Sequence, residues 1–135
     1  MAITPLTKKR EYYSDFRKDM LANPVTTDLA RIVNEEAVKE SIKNLVLTNR
    51  GERLFQPNVG CDVTKQLFEN VTPDTIRTIK KLIRNTLESY EPRAEILSVD
   101  VGGRLDANEL KVSITFVLVN TEKPTTVDVL LKRIR

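Results

Sequence analysis

Residues 72–101 read TPDTIRTIKKLIRNTLESYEPRAEILSVDV, and the hydrophobic period of the chain changes inside that stretch. Ile76, Ile79, Leu82, Ile83, Leu87 and Tyr90 recur at the spacing of one helix face, with Lys80, Lys81, Arg84 and Glu88 largely opposite. The spacing predicts an amphipathic helix from Asp74 to Tyr90. Thr72 offers a capping hydroxyl, and Pro73 suits the first helical position, where its missing N–H costs nothing. Pro92 ends the helix, because the residue before a proline avoids the helical region. Beyond it Leu97, Val99 and Val101 alternate with Ser98 and Asp100, the two-residue period of a strand. Taken alone, Glu91-Pro92-Arg93 is a helix stop flanked by two exposed, opposite charges that form at most a weak ion pair.

Downstream, Gly102-Gly103 opens a turn region reaching Asn108. Leu110, Val112, Ile114, Phe116 and Leu118 then alternate with Lys111, Ser113 and Thr115. Val117 and Val119 make the far end of that strand apolar on both faces, so it is expected to be covered on both sides. Residues 120–124 are a hairpin-length connection to a third strand carrying Val127, Val129 and Leu131. Three consecutive strands predict a meander.

Upstream, Val38, Ile42, Leu45 and Val46 form a second helical stripe, ending near Leu47. Asn34 is its expected capping residue, and Glu35-Glu36 its acidic first turn. Thr48-Asn49-Arg50-Gly51 breaks that helix, Arg53-Leu54-Phe55 reads as a short extended stretch, and residues 56–60 give further loop signals. Asp62 or Thr64 caps a short helix through Leu67-Phe68. Residues 25–32 supply a short strand. Residues 1–25, with Lys8-Lys9-Arg10, Tyr12, Tyr13 and Phe16, hold no period and read as an N-terminal arm before a single domain of residues 26–135. Helices first and strands last give an α+β class: two to three helices packed on a small, mainly antiparallel sheet.

Composition narrows the function classes. Among 135 residues, 22 Lys and Arg stand against 19 Asp and Glu, an excess too small and too interleaved to imply nucleic acid. The basic clusters at Lys8-Lys9-Arg10 and Lys132-Arg133 with Arg135 more often solvate or meet an acidic protein surface than touch phosphates. No histidine is present, which excludes histidine-dependent catalysis and the usual zinc sites, and a single cysteine excludes an internal disulfide. Cys61 lacks a histidine base and has Asp62 beside it, so it reads as a small buried apolar residue. The glycines at 51, 60, 102 and 103 match neither the phosphate loop nor the dinucleotide fingerprint. Carboxylate pairs such as Asp62 and Glu69 carry no mark of a raised pKa. No cofactor or metal is expected, and no membrane contact, since no run approaches roughly 18 apolar residues.

The order of features also carries a resemblance. Val38 through Thr48, Arg50-Gly51-Glu52-Arg53, Phe55-Gln56-Pro57-Asn58-Val59-Gly60-Cys61, Leu67-Phe68-Glu69-Asn70 and Tyr90-Glu91-Pro92-Arg93 together resemble the baseplate wedge protein family of contractile-tailed phages and its type VI secretion relatives. The likeness spans about residues 34–120; the arm and the basic C-terminus match poorly. It implies a non-catalytic virion protein of the tail baseplate, made in the host cytoplasm and built into a symmetric ring. It also implies that Glu91, Pro92 and Arg93 bind the core bundle of other wedge proteins, and that a free sheet edge accepts strands from the tail sheath and so initiates it. Residues 110–120 and 125–131 are the candidate strands, with the free edge undecided. A peptidoglycan-degrading, lysozyme-like glycosidase of the baseplate is the alternative function.

Overall fold

The structure, a computed structural model, describes residues 10–104 and 109–132. Its elements run β1 (Ser14–Phe16), β2 (Arg31–Val33), α1 (Glu35–Leu47), α2 (Val63–Gln66), α3 (Pro73–Tyr90), β3 (Ala94–Arg104), β4 (Glu109–Leu118) and β5 (Pro124–Lys132). The chain divides into two compact units, Met1–Ala37 and Val38–Arg135.

In the first unit β1 and β2 form an antiparallel pair, Ser14 opposite Val33 and Phe16 opposite Arg31, so the hairpin joins residues on both sides of position 25. Asn34 was expected to cap α1, and its side chain does something else. Its Oδ1 accepts hydrogen bonds from the N–H groups of Tyr12 (2.8 Å) and Tyr13 (3.3 Å), and its Nδ2 donates to the carbonyl of Arg10 (3.0 Å). Asn34 stands at φ 50°, a left-handed conformation that Asn tolerates better than most residues. The side chain is thereby spent on the incoming strand rather than on the helix.

In the second unit the C-terminal strands form the expected meander, β3-β4-β5, antiparallel throughout. Leu110, Val112, Ile114, Phe116 and Leu118 of β4 are all buried, as are Val127, Val129 and Leu131 of β5. The opposite face is polar: Ser113 donates to Asp128 at 2.7 Å, Thr115 meets Thr126 at 3.2 Å, and Lys111 pairs with Asp128 at 2.9 Å. Helix α3 packs on β3 and brings Ile79, Ile83 and Leu87 to zero exposure. Each such aliphatic side chain contributes about 2 kcal/mol by leaving water. The start of α3 is as read: Thr72 Oγ1 accepts from the Thr75 N–H at 3.2 Å, and Pro73 follows.

Leu97, Val99 and Val101 were assigned to one face of β3, yet Leu97 is 49% exposed, while Ala94, Ile96 and Val99 are buried. The register explains this: Ile96 pairs with Phe116 and Ser98 with Thr115, so Leu97 is an extra residue in a β-bulge that reverses the alternation. Gly102 and Gly103 do not open a turn. They continue β3 opposite Lys111 and Leu110; residues 105–108 lie outside the described residues, as do Lys8, Lys9, Arg133 and Arg135. At the far end of β4 Val117 is half-buried, whereas Val119 lies past the strand and is 66% exposed, so the expected cover on both sides stops short of Val119. Asp62 makes no side-chain cap on α2; its Oδ1 accepts from the Arg50 N–H at 3.3 Å. Residues 53–55 are not extended but form a turn.

Candidate functional site

The junction between α3 and β3 is built on one carboxylate. The Glu91 N–H still bonds to the Leu87 carbonyl at 2.9 Å, closing the last helical turn, before Pro92 forbids continuation. The Glu91 carbonyl then accepts from the Ala94 N–H at 3.3 Å, and the Arg93 carbonyl accepts from the Val119 N–H at 3.1 Å. The backbone of residues 91–94 is therefore tied both to the helix behind it and to the end of β4.

The side chains reverse the expectation of two exposed charges. Glu91 is 2% exposed. Arg93 curls back over it in a two-pronged pair, Nε to Oε1 at 2.6 Å and Nη2 to Oε2 at 2.9 Å. Ser41 of α1 donates its hydroxyl to the same Oε2. Burial alone would raise the Glu91 carboxyl, because a desolvated charge is costly. The hydrogen bonds from Arg93 and Ser41, with the Arg93 charge, outweigh that and hold it below the usual carboxylate range. A buried ion survives only when its lone pairs are filled, and here both oxygens are. Among the described residues no buried side-chain N or O lacks a partner.

Glu91 and Arg93 do pair, but Glu91 faces inward and not to solvent. Pro92 is exposed and the Arg93 side chain is 31% exposed, so the corner presents proline and part of the Arg93 side chain to solvent. Ser41 was missed. Its signal is positional: it lies three residues after Val38 and four before Leu45, a hydroxyl on the apolar stripe of α1.

The other candidates do not assemble into a site. Cys61 is buried, and desolvation pushes its thiol up despite a hydrogen bond with Thr86, which suits packing and not nucleophilic attack. Asp62 pairs with Lys65 at 3.3 Å, and Glu69 is exposed. Among the described residues no three His, Cys, Asp or Glu side chains are grouped to hold a metal ion, and no helix is long and apolar enough to cross a membrane.

Known proteins are similar in sequence and fold. The model of the family described as baseplate wedge protein gp25 matches residues 33–123, which include both principal helices and the α3–β3 corner. The baseplate wedge protein gp25 of Enterobacteria phage T4 is 35% identical over 108 residues, 80% of this chain and 81% of its own length. A baseplate protein of the anti-feeding prophage superposes with a TM-score of 0.70 at 26% identity, covering 82% of this chain and 88% of that one. A Geobacter sulfurreducens protein provisionally named a tail lysozyme superposes with a TM-score of 0.69 at 28% identity, covering 75% of this chain and 92% of that one. Sequence match, length and fold agree, and the chain belongs to the baseplate wedge protein gp25 family.

Proposed function

We propose that this chain is a non-catalytic structural subunit of a contractile-tail baseplate, docking on other wedge proteins through Glu91-Pro92-Arg93 and offering a sheet edge on which the tail sheath begins. The observation that carries the docking role is the clamped guanidinium. A free arginine side chain loses about 2 kcal/mol of rotamer entropy when it binds, whereas Arg93 is already held by two bonds to a buried carboxylate. The exposed part of its side chain and the fixed Pro92 form a rigid projection that a partner could meet without ordering it.

For the sheath, the two edges of the meander differ. The β3 edge is interrupted by the bulge at Leu97, and Arg84 Nη2 donates to the Leu97 carbonyl at 3.2 Å, blocking an acceptor that an incoming strand would use. The β5 edge runs through nine residues in unbroken register with β4. Strand addition at β5 is the reading these facts support. The arm of residues 1–25, which supplies β1, would reach neighbouring wedge proteins. The virion tail is the place of work, after assembly in the host cytoplasm.

A glycosidase needs a carboxylic acid kept protonated by a raised pKa. Among the described residues the two carboxyl groups that are clearly displaced, Glu91 and Asp128, both move down. Purified protein is expected to leave bacterial cell walls turbid; clearing that vanishes on neutralising one carboxylate would establish the enzyme instead.

The docking role is tested by changing Glu91→Ala and Arg93→Ala together, which removes both partners and leaves no lone buried charge. The doubly changed chain is expected to keep its circular dichroism spectrum and to disappear from tails assembled in its presence, into which the unaltered chain is incorporated. Incorporation at the wild-type level would end the docking proposal.

A further inference from the structure

The loop between α1 and α2 presents an apolar tip that the fold itself does not use. Leu54 is 92% exposed and Phe55 is 96% exposed, adjacent in sequence and the two most solvent-exposed large hydrophobic side chains among the described residues. Their turn is nonetheless tightly built. At its base Gly51 donates to the Pro57 carbonyl at 2.8 Å, and the Cys61 N–H donates to the Thr48 carbonyl at 2.7 Å. Asn49 donates its N–H and its Nδ2 to the two carboxylate oxygens of Glu52, at 3.0 and 2.8 Å. Around the tip Gln56 donates to the Arg53 carbonyl at 3.3 Å, Arg53 Nη1 to Gln56 Oε1 at 3.3 Å, and Val59 to the Gln56 carbonyl at 3.1 Å. The Tyr90 hydroxyl reaches from the end of α3 to the Asn58 carbonyl at 2.9 Å. Gly60, at φ 142°, allows the loop to close against α1: a Cβ there would lie 2.7 Å from the Thr48 carbonyl oxygen.

We infer that Leu54 and Phe55 are an anchoring knob that inserts into an apolar pocket, rimmed by carboxylates, on a different protein of the assembly. Three observations lead there. The loop is held in one conformation by bonds that leave the tip untouched, so the ordering cost of binding is already met. The charged side chains beside the tip are Arg50, Glu52 and Arg53, all exposed, two positive against one negative, with the Glu52 carboxylate bonded back to Asn49 at the base of the loop. That charge pattern complements an acidic rim. Two side chains bring on the order of 350 Å², well short of the roughly 800 Å² per partner of a stable interface, and pairing two copies tip to tip would bring four arginines together. The tip therefore fits a hot spot within a larger contact with another protein, and not the seam of a homodimer.

The inference rests on the baseplate reading, and the test separates the two. In tails assembled with p-benzoylphenylalanine in place of Phe55, illumination is expected to give one cross-linked product with another tail protein, mapped to a peptide mixing apolar residues with Asp and Glu. Leu54→Ser with Phe55→Ser, and separately Arg50→Glu with Arg53→Glu, are each expected to lower incorporation about tenfold while leaving the melting temperature at the wild-type value. A cross-link to a second copy of this chain, no cross-link from position 55 in tails that do contain the chain, or full incorporation of the serine variant overturns the knob alone. Absence of the unaltered chain from the tails overturns the baseplate reading and the knob with it.

Discussion

The turn after α3 and the loop after α1 invert the usual distribution of side chains in opposite ways. One hides a carboxylate at 2% exposure, and the other holds a phenylalanine out at 96%. In the first, every oxygen is filled by Arg93 and Ser41, so the charge belongs to the interior and ties α1, the end of α3 and the start of β3 at one point. In the second, backbone bonds close the base of the loop while the apolar tip is almost wholly exposed, so what the tip contributes lies outside the chain. Burial of a polar group reports on the fold; exposure of an apolar pair on a rigid loop reports on what the fold is for.

The contrast can be broken experimentally, and the largest effect is expected at the buried charge. Glu91→Ala leaves the Arg93 guanidinium and the Ser41 hydroxyl without their acceptor and is expected to cost about 3 kcal/mol in urea unfolding. Adding Arg93→Ala should return part of that loss. A double variant less stable than Glu91→Ala alone would mean that the pair does not act as a unit.

The same carboxyl sets a pH dependence. Its folded pKa lies below its unfolded one. The stability it contributes is therefore fully present above the ordinary glutamate pKa and is lost as pH falls through the depressed folded value. Glu91→Gln is expected to flatten that acid limb; an unchanged acid limb in the Gln variant would place the titration elsewhere.

Next comes the base of the exposed loop. Gly60→Ala forces a Cβ against the Thr48 and Asn49 backbone at a positive φ and is expected to cost about 2 kcal/mol. Asn34→Ala, which removes three bonds to the Arg10–Tyr13 segment, is expected to cost about 1 kcal/mol and to raise amide exchange at Tyr12 and Tyr13 selectively. The smallest change is at the tip itself. Leu54→Ser with Phe55→Ser should move stability by less than about 0.5 kcal/mol, since almost no buried area is lost. A loss of 2 kcal/mol there would show the tip to be part of the core.

What the sequence disclosed follows the range of the interactions involved. Helix α3 was legible from Thr72 to Pro92 because its cap, its proline and its stripe all lie within the element. The meander was legible because β4 and β5 keep a strict two-residue period. Leu97 was not, since a bulge is defined by the partner strand and shifts the period without a local mark. Asn34 was misread because a capping residue and a strand-pinning residue are the same residue type, and the choice depends on Tyr12 and Tyr13, more than twenty residues back. Glu91 was placed on the surface because its burial depends on Ser41, which lies fifty residues earlier. The resemblance singled out Glu91, Pro92 and Arg93, but not that Glu91 faces inward.

A reconstruction of the assembled tail at side-chain resolution tests the account most directly. It is expected to show this chain in the baseplate wedge with Glu91 still on Ser41, Pro92 and the exposed part of Arg93 against another wedge protein, and a sheath strand along β5. A chain seated there with the Glu91-Pro92-Arg93 corner facing only solvent would contradict it.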